Sequence, residues 1–200
     1  MNHAKFLASA AALVVFFAAV PAGANPVTRV FKCATAGCTP ARIPDSNGTT
    51  DGVVSFTIPT PATTACPGTT ITSYAAHLSI THSNVGDLRA TLANPAAASA
   101  VLFNRLSGGA GAGSCTGDDI NATFSDAGTV NTCNFLIPAV SGNAHSSGAV
   151  SALGLGWQSG NWKIEVRDQA AGGDGLVDDA SLVVTCAYSD AIFNDSFDLP

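Results

Sequence analysis

The chain has 200 residues, a formal net charge of −6 at pH 7 and only 11% charged residues, with 20 glycines and 10 prolines. This acidic balance excludes nucleic acid from the expected partners, because binding it requires a basic face. So few charges and so many turn residues leave little material for amphipathic helices, and the composition therefore predicts strands and turns.

Residues 1–24 have the pattern of a secretory signal peptide. Lys5 supplies the positive start, residues 6–20 form an apolar run, and Ala22-Gly23-Ala24 is a small-residue cleavage site. The alternative is a membrane anchor, but the apolar run is shorter than the roughly 20 residues that span a bilayer. We therefore expect a secreted or periplasmic protein that is not attached to a membrane after cleavage.

Residues 25–49 are interpreted as an irregular N-terminal arm, because three prolines and the Cys33/Cys38 pair interrupt them. The first clear strand follows at residues 53–58, where Val54, Phe56 and Ile58 share one face. A Pro-Thr-Pro run ends this strand, since proline cannot continue a ladder of backbone hydrogen bonds.

The clearest period-two pattern lies in residues 71–92, which are interpreted as a β-hairpin. In its first half the apolar residues occupy every second position: Tyr74, Ala76, Leu78 and Ile80. Turn residues occupy positions 83–87, and the alternation resumes after them. A short strand at residues 100–103 is expected to pair with residues 89–92.

Glycine, serine and aspartate dominate residues 107–151, where residues 120–124 and 134–137 are the candidate strands. The inward positions of the last two strands are Trp162, Ile164 and Val166, then Ala180, Leu182, Val184 and Cys186. About eight or nine short strands predict an all-β sandwich, with its first and last strands as neighbours. Residues 189–200 form a C-terminal tail.

All six cysteines follow the predicted signal peptide, and their even number predicts three disulfides in an oxidising compartment. A zinc site is the alternative, but no cysteine pair has the two-residue spacing of a zinc ribbon or finger. Six cysteines allow many pairings. We favour Cys33–Cys38 as a small local loop, Cys115–Cys133 closing a long loop, and Cys66–Cys186 joining the first core strand to the last.

Several short segments occur in a distinctive order along the chain. They are ITH (80–82), GDL (86–88), VLF (101–103), GDDINATFSD (117–126), GNWKIEVRD (160–168), GDG (173–175) and ASL (180–182). In combination they resemble the P domain, or P/Homo B domain, of subtilisin-like proprotein convertases and secreted bacterial proteases. The resemblance covers about residues 50–188 and implies a jelly-roll-like β-sandwich that stabilises and modulates a serine protease.

We expect no active site in this chain. It contains neither a Gly-Thr-Ser nucleophile turn nor a His-Gly pair, and the residues outside the P-domain-like span are too few for a subtilisin catalytic domain. Histidines, serines and aspartates are all present, but a triad is recognised by geometry and not by composition. His82 is expected to pack at a strand end and bond to a neighbouring backbone group or carboxylate, and His77 to face solvent.

Aspartates are concentrated in the loops that precede and follow the predicted strands. Calcium takes six to eight oxygen ligands, commonly from loop carboxylates and carbonyls, so these loops predict a calcium site at one end of the sandwich. The candidate ligands are Asp119, Asp126, Asp168 and Asp87. The alternative is that these aspartates only stabilise turns through local hydrogen bonds.

These observations predict a secreted, non-catalytic module that binds or stabilises a protein partner, a secreted subtilisin-like serine protease. Two alternatives remain open. The chain is part of a serine-type endopeptidase system, or it is a calcium-dependent adhesion or glycan-binding module that uses an exposed aromatic such as Trp157. Trp162, by its alternation, is expected in the core.

Overall fold

The computed structural model of the protein describes residues 26–33, 38–66, 69–108, 112–129, 133–134 and 136–188. Within them the chain forms ten strands: β1 (Pro26–Lys32), β2 (Ala41–Ile43), β3 (Gly52–Thr60), β4 (Thr69–His82), β5 (Leu88–Ala93), β6 (Ser99–Asn104), β7 (Ile120–Ser125), β8 (Val140–His145), β9 (Gly160–Asp168) and β10 (Gly175–Tyr188). Short 3-10 turns cover Val85–Asp87 and Val150–Leu153. Neither turn has the length and hydropathy of a membrane span, and the described residues include no other helix that does. The predicted signal peptide and the C-terminal tail lie outside the described residues.

The described strands form two sheets. The larger sheet has the order β1–β10–β4–β7–β8, with β2 also paired to β10, and the smaller sheet has the order β3–β9–β5–β6. The pairings are antiparallel except for β7 with β8. The longest ladder joins β4 to β10, the two 14-residue strands at the centre of the larger sheet.

One hydrophobic core fills the space between the inner faces of the two sheets. Alternate residues of β4, β9 and β10 point into it, including Leu78, Ile80, Trp162, Ile164, Val166, Leu182 and Val184, each at most 1% exposed. Burying each of these side chains contributes about 1.5–3 kcal/mol. Trp162 packs against Tyr74 with 4.6 Å between ring centroids. The predicted all-β sandwich and the core position of Trp162 are therefore confirmed.

The interpretation of residues 71–92 as a hairpin is wrong, because its two strands belong to different sheets. β4 pairs with β10 and β7, whereas β5 pairs with β6 and β9. The turn at Val85–Asp87 carries the chain from one sheet to the other. Alternation and turn residues look the same in a hairpin and in a crossing between sheets, so the local sequence does not distinguish them. The predicted pairing of residues 89–92 with residues 100–103 is confirmed as β5 with β6.

The prediction that the first and last strands are neighbours is also wrong for the strand at residues 53–58. β3, the first strand that the sequence predicts, pairs with β9 in the smaller sheet. The neighbour of β10 is β1, which lies in the segment interpreted as an irregular arm and pairs with β10 from Pro26↔Ala187 to Lys32↔Ser181. β1 is an edge strand with mostly exposed residues, and β2 has only three residues, so the hydrophobic alternation that identifies inner strands is weak in them.

In residues 107–151 one of the two candidate strands is confirmed. β7 covers the strand predicted at residues 120–124. The strand predicted at residues 134–137 is wrong, because its described residues lie in a loop, with Leu136 71% and Ile137 70% exposed. β8, which the sequence analysis missed, follows that loop as VSGNAH. It has few apolar residues and a glycine with positive φ at Gly142, so its sequence does not have the pattern of a strand.

All three favoured disulfides are present: Cys33–Cys38, Cys66–Cys186 and Cys115–Cys133. Cys66 lies between β3 and β4, so its bond joins the segment before one central strand of the larger sheet to the end of the other. The pairing prediction is confirmed, although the strand before Cys66 belongs to the smaller sheet.

The acidic end of the sandwich and its two outer faces

His82, the last residue of β4, is buried at the end of the core and is only 2% exposed. Its ring packs against Gly175, where a Cβ would stand 2.5 Å from the ring Cδ2. A side chain at Gly175 is therefore incompatible with this position of the ring. The expectation that His82 packs at a strand end is confirmed, and the residue that makes room for it is a glycine in the next strand of the sheet.

The hydrogen bonds of His82 define which ring nitrogen carries the proton. The backbone N–H of Asn84 donates to His82 Nδ1 at 3.1 Å. Because Nδ1 accepts this bond, the proton lies on Nε2, which donates a long bond of 3.4 Å to Asp168 Oδ2. Asp168, fully buried, also accepts from the backbone N–H of Ala170 at 3.1 Å. The buried carboxylate thus has two donors from the protein.

Three of the four predicted calcium ligands lie around His82. Asp119 and His82 bond reciprocally, since the His82 N–H donates to Asp119 Oδ1 at 2.9 Å and the Asp119 N–H donates to the His82 carbonyl at 3.1 Å. Asp87 accepts, through its backbone carbonyl, from the N–H of Gln169 at 2.9 Å. Asp168 immediately precedes Gln169. The structure therefore brings Asp87, Asp119 and Asp168 to one end of the sandwich, which we call the acidic end.

Electrostatics at the acidic end favour a positive partner. Burial raises the pKa of Asp87 above its ordinary value of 3.8, the charge of Asp168 raises it further, and Arg105 and His82 oppose the rise. Two amide oxygens nearby in the chain, Asn84 Oδ1 and Gln169 Oε1, are buried without a hydrogen-bond donor. Oxygens of this kind are ligands for hard cations such as calcium. No group of three or more His, Cys, Asp and Glu side chains in the described part of the chain is arranged to hold a metal ion.

Asp126 lies elsewhere, at the opposite end of β7 from Asp119. Its carboxylate accepts from the backbone N–H groups of Val150 at 2.7 Å and Ser151 at 2.8 Å, and from Ser146 Oγ at 3.0 Å. Partial burial is the largest single influence on the pKa of Asp126, and it raises that pKa. The hydrogen bonds together outweigh it and lower the pKa from 3.8 to about 2. Asp126 therefore holds the start of the 3-10 turn at Val150–Leu153 and does not join the acidic end.

We expect Asp126→Asn to lower the free energy of unfolding by about 1–2 kcal/mol at pH 7. Because the folded-state pKa is depressed, the stabilisation by the carboxylate is fully present above about pH 4 and is lost as the pH falls towards 2. Urea unfolding of both proteins at pH 7 and at pH 3 checks this. The difference between them should shrink at the lower pH, and a pH-independent difference would contradict the assignment.

The outer face of the larger sheet has an uncharged region, and its charged side chains, which include the Lys32–Asp179 ion pair, lie outside that region. A shallow depression of about 390 Å³ lies on it, lined by residues from β1, β4, β7, β8 and β10 and from one loop. We call this surface the neutral face, and its residues are Thr28, Ser73, Ala75, Thr123, Ser125, Ala127, Asn143, Val183 and Thr185. Val30 lies opposite Val183 on the same face and is 54% exposed.

The outer face of the smaller sheet has the opposite character. Lys163, Glu165 and Arg167 alternate along β9, where Glu165 bonds to Lys163 at 2.9 Å and to Arg167 at 2.7 Å. The hydrogen bond from Lys163, together with Arg167, lowers the pKa of Glu165 below its ordinary value of 4.5. Arg167 also lies 3.5 Å from Asp51. Such a ladder of ion pairs is typical of a sheet face that remains in water.

The aromatic residues do not form a platform in the described part of the chain. Trp157 is half-buried, its ring lies 5.8 Å from that of Phe31, and its Nε1–H donates to the Pro61 carbonyl at 3.2 Å. His77 lies on the outer face of β4, half-buried beside Thr123 at 3.2 Å. Sequence reasoning missed the neutral face, because outward residues of five strands form it and the outward positions of β10 also include the charged Asp179.

The fold and these surfaces define a class of protein: a disulfide-bonded β-sandwich with an uncharged depression on one outer face and a row of ion pairs on the other. The profile of the proprotein convertase P-domain family matches residues 71–184, which is more than half of the chain. The chain belongs to the proprotein convertase P-domain family, so the resemblance predicted from the sequence is confirmed and the protein is a protease-associated module. No curated protein matches the chain.

Proposed function

We propose that the protein is a secreted, non-catalytic module that binds and stabilises a secreted subtilisin-like serine protease. The observation that carries the proposal is the neutral face, a depression that reaches across five strands without a charged side chain in its lining. Membership of the P-domain family supports a protease as the class of partner. The chain thereby takes part in a proteolytic system without an active site of its own.

The neutral face suits a protein interface for a physical reason. The centres of protein interfaces are depleted of charged residues, because a charge that becomes buried loses its hydration. The small hydroxyl side chains of the neutral face offer hydrogen bonds and have little side-chain entropy to lose. The ion pairs on the smaller sheet would be costly to desolvate in comparison. The larger sheet is therefore the docking side.

Stabilisation of the partner follows from binding alone. A protein that binds only the folded form of the protease stabilises it by about 2.7 kcal/mol at a concentration 100 times the Kd. The test uses the subtilisin-like proteases that the source organism secretes, each produced without any P domain and heated with an excess of this protein. We expect the inactivation half-life of at least one protease to lengthen about tenfold or more relative to an equal mass of serum albumin. If no half-life changes, the proposal is wrong.

The endopeptidase alternative has its own readout. We expect the purified protein to hydrolyse casein no faster than a buffer control. Hydrolysis that a serine-protease inhibitor blocks would assign the activity to this chain instead.

Export is part of the proposal. The three disulfides are typical of proteins in oxidising compartments, and residues 1–24 supply the signal. N-terminal sequencing of the exported protein should begin at Asn25, and an intact Met1 on exported protein would contradict the signal-peptide assignment.

We also propose that a calcium ion binds at the acidic end. The support is the combination of Asp87 and Asp168, two carboxylates of which the second raises the pKa of the first, with the undonated amide oxygens of Asn84 and Gln169. Asp119 is the third carboxylate at this end. Asp126, which the sequence grouped with them, is separate. The alternative to protease binding is a calcium-dependent adhesion or glycan-binding role. Binding to a glycan array that is lost when a chelator removes calcium would favour this alternative.

We expect calcium to raise the melting temperature of the wild-type protein, because an ion that binds only the folded state stabilises it. Asp87→Asn should remove the rise, since it takes away one charged ligand. Asp126→Asn is the matched control and should keep the full calcium-dependent rise on a lower starting temperature. A wild-type melting curve that is indifferent to calcium ends the proposal.

A further inference from the structure

The loop that precedes β8, described at residues 133–134 and 136–139, presents two consecutive large apolar side chains to solvent. Leu136 is 71% and Ile137 is 70% exposed, and the other exposed large hydrophobic residues of the described chain are at most 54% exposed. Single exposed apolar residues are common on protein surfaces, but a contiguous apolar projection marks an interaction site.

Hydrogen bonds and a disulfide restrain the loop at both ends. The Ala139 N–H donates to the carbonyls of Asp118 and Asp119, at 2.7 and 2.9 Å, and the Asn134 N–H donates to the Ala139 carbonyl at 3.0 Å. At the other end Cys133 is bonded to the segment before β7. Each of these restraints reduces the conformational entropy that the described residues lose when they bind.

Within the loop, Asn134 sets the position of the first apolar residue. Its Oδ1 accepts from the backbone N–H of Leu136 at 2.9 Å, which forms a tight Asx turn. The apolar pair is thus presented by a closed turn and does not hang from a free strand.

We infer that Leu136 and Ile137 form an anchor that inserts into an apolar pocket of the protein partner, at the end of the larger sheet where Asp118 and Asp119 lie. The inference rests on the proposed function and names the contact within it. β8 follows the loop directly, forms an edge of the larger sheet and contributes Asn143 to the neutral face. The neutral face is mostly hydroxyl groups, whereas binding energy in interfaces is concentrated in a few buried anchors. The loop adds two large and highly exposed apolar side chains to the small ones of the neutral face.

The charge of the chain favours a protein pocket over a lipid surface. The formal net charge is −6, and Asp118 and Asp119 lie at the base of the loop through their carbonyl bonds to Ala139. Anionic membrane surfaces attract basic segments and repel acidic ones. The pocket that accepts the anchor therefore has a neutral or basic rim.

The test compares the Leu136→Ser/Ile137→Ser double variant with Val53→Ser, which removes an exposed apolar side chain, 41% exposed, from the opposite sheet. Affinity is measured by calorimetry against the P-domain-free protease that wild-type protein stabilises, and each variant is also sedimented with vesicles that contain anionic lipid. We expect the double variant to bind about 30-fold or more weakly with an unchanged melting temperature. Val53→Ser should bind as wild type, and no protein should sediment with vesicles.

The experiment distinguishes a failure of the anchor from a failure of the proposed function. If wild-type protein binds a protease and the double variant binds equally well, the anchor is wrong and the proposed function stands. If wild-type protein binds none of the proteases, the proposed function fails and the anchor fails with it. Sedimentation with vesicles that the double substitution abolishes would overturn the inference in favour of a membrane surface.

Discussion

Replacing Cys66 and Cys186 together with alanine should lower the free energy of unfolding by about 4–5 kcal/mol, the largest effect that we expect from any local change. The two cysteines are 120 residues apart in the chain, and a crosslink that closes so long a loop removes much of the entropy of the unfolded state. Both side chains are also buried, at 4% and 1% exposure. Total stabilities of domains are about 5–15 kcal/mol, so the variant should be close to the folding threshold.

The other two disulfides supply the matched controls, and guanidinium unfolding under non-reducing conditions is the measurement. The sequence separations are 18 for Cys115–Cys133 and 5 for Cys33–Cys38, so the expected losses fall to about 3 and about 2 kcal/mol. An order that does not follow the loop lengths would show that strain or contacts in the folded state decide the effect of each bond.

His82→Ala should lower the free energy of unfolding by about 3–5 kcal/mol. The substitution leaves Asp168 as a fully buried carboxylate without its Nε2–H donor, and the Asn84 N–H without its acceptor. Removing one partner of a buried charged hydrogen bond has this order of cost, and the lost ring adds a cavity. Urea unfolding at pH 7 measures the loss.

His77→Ala is the control for this prediction, since His77 lies on the outer face of the same strand, half-buried, with one contact to Thr123. Its loss should be within about 1 kcal/mol. Equal losses in the two variants would contradict the buried pair as the cause.

Strand positions and inward residues were predictable because burial is an alternating property of single strands. Trp162, Ile164 and Val166 show it in β9, and Leu182 and Val184 show it in β10. The favoured disulfides combined two short sequence separations, of 5 and 18 residues, with a link between the first and last predicted core strands.

Sheet membership was not predictable from the same pattern. The alternation in β4 and β5 is identical whether the turn at Val85–Asp87 reverses the chain within one sheet or carries it to the other. The direction of the chain at this turn depends on contacts with residues far away in the sequence. The Gly86 N–H donates to the Cys115 carbonyl at 2.9 Å, and a Cβ on Gly86 would stand only 2.6 Å from that carbonyl oxygen. The edge strand β1 was missed because neither of its faces is well buried.

The candidate sites were partly predictable. The sequence grouped Asp87, Asp119 and Asp168 as candidate calcium ligands, and the strand ends bring these three together, while calcium binding stays a prediction. Asp126 was grouped with them because it is near Asp119 in sequence, whereas an extended strand separates the two at about 3.3 Å per residue. The neutral face depends on five strands from distant parts of the chain, so no local motif could indicate it.

The proposed docking side is tested most directly by the same substitution on the two outer faces. Thr185 is half-buried in the neutral face, and Thr91 is half-buried on β5 beside Glu165. We predict that Thr185→Lys weakens calorimetric binding to the P-domain-free protease by at least about 30-fold, because it places a charge in a desolvated interface, and that Thr91→Lys binds as wild type. Undiminished binding by Thr185→Lys, or a loss confined to Thr91→Lys, would contradict the assignment of the neutral face.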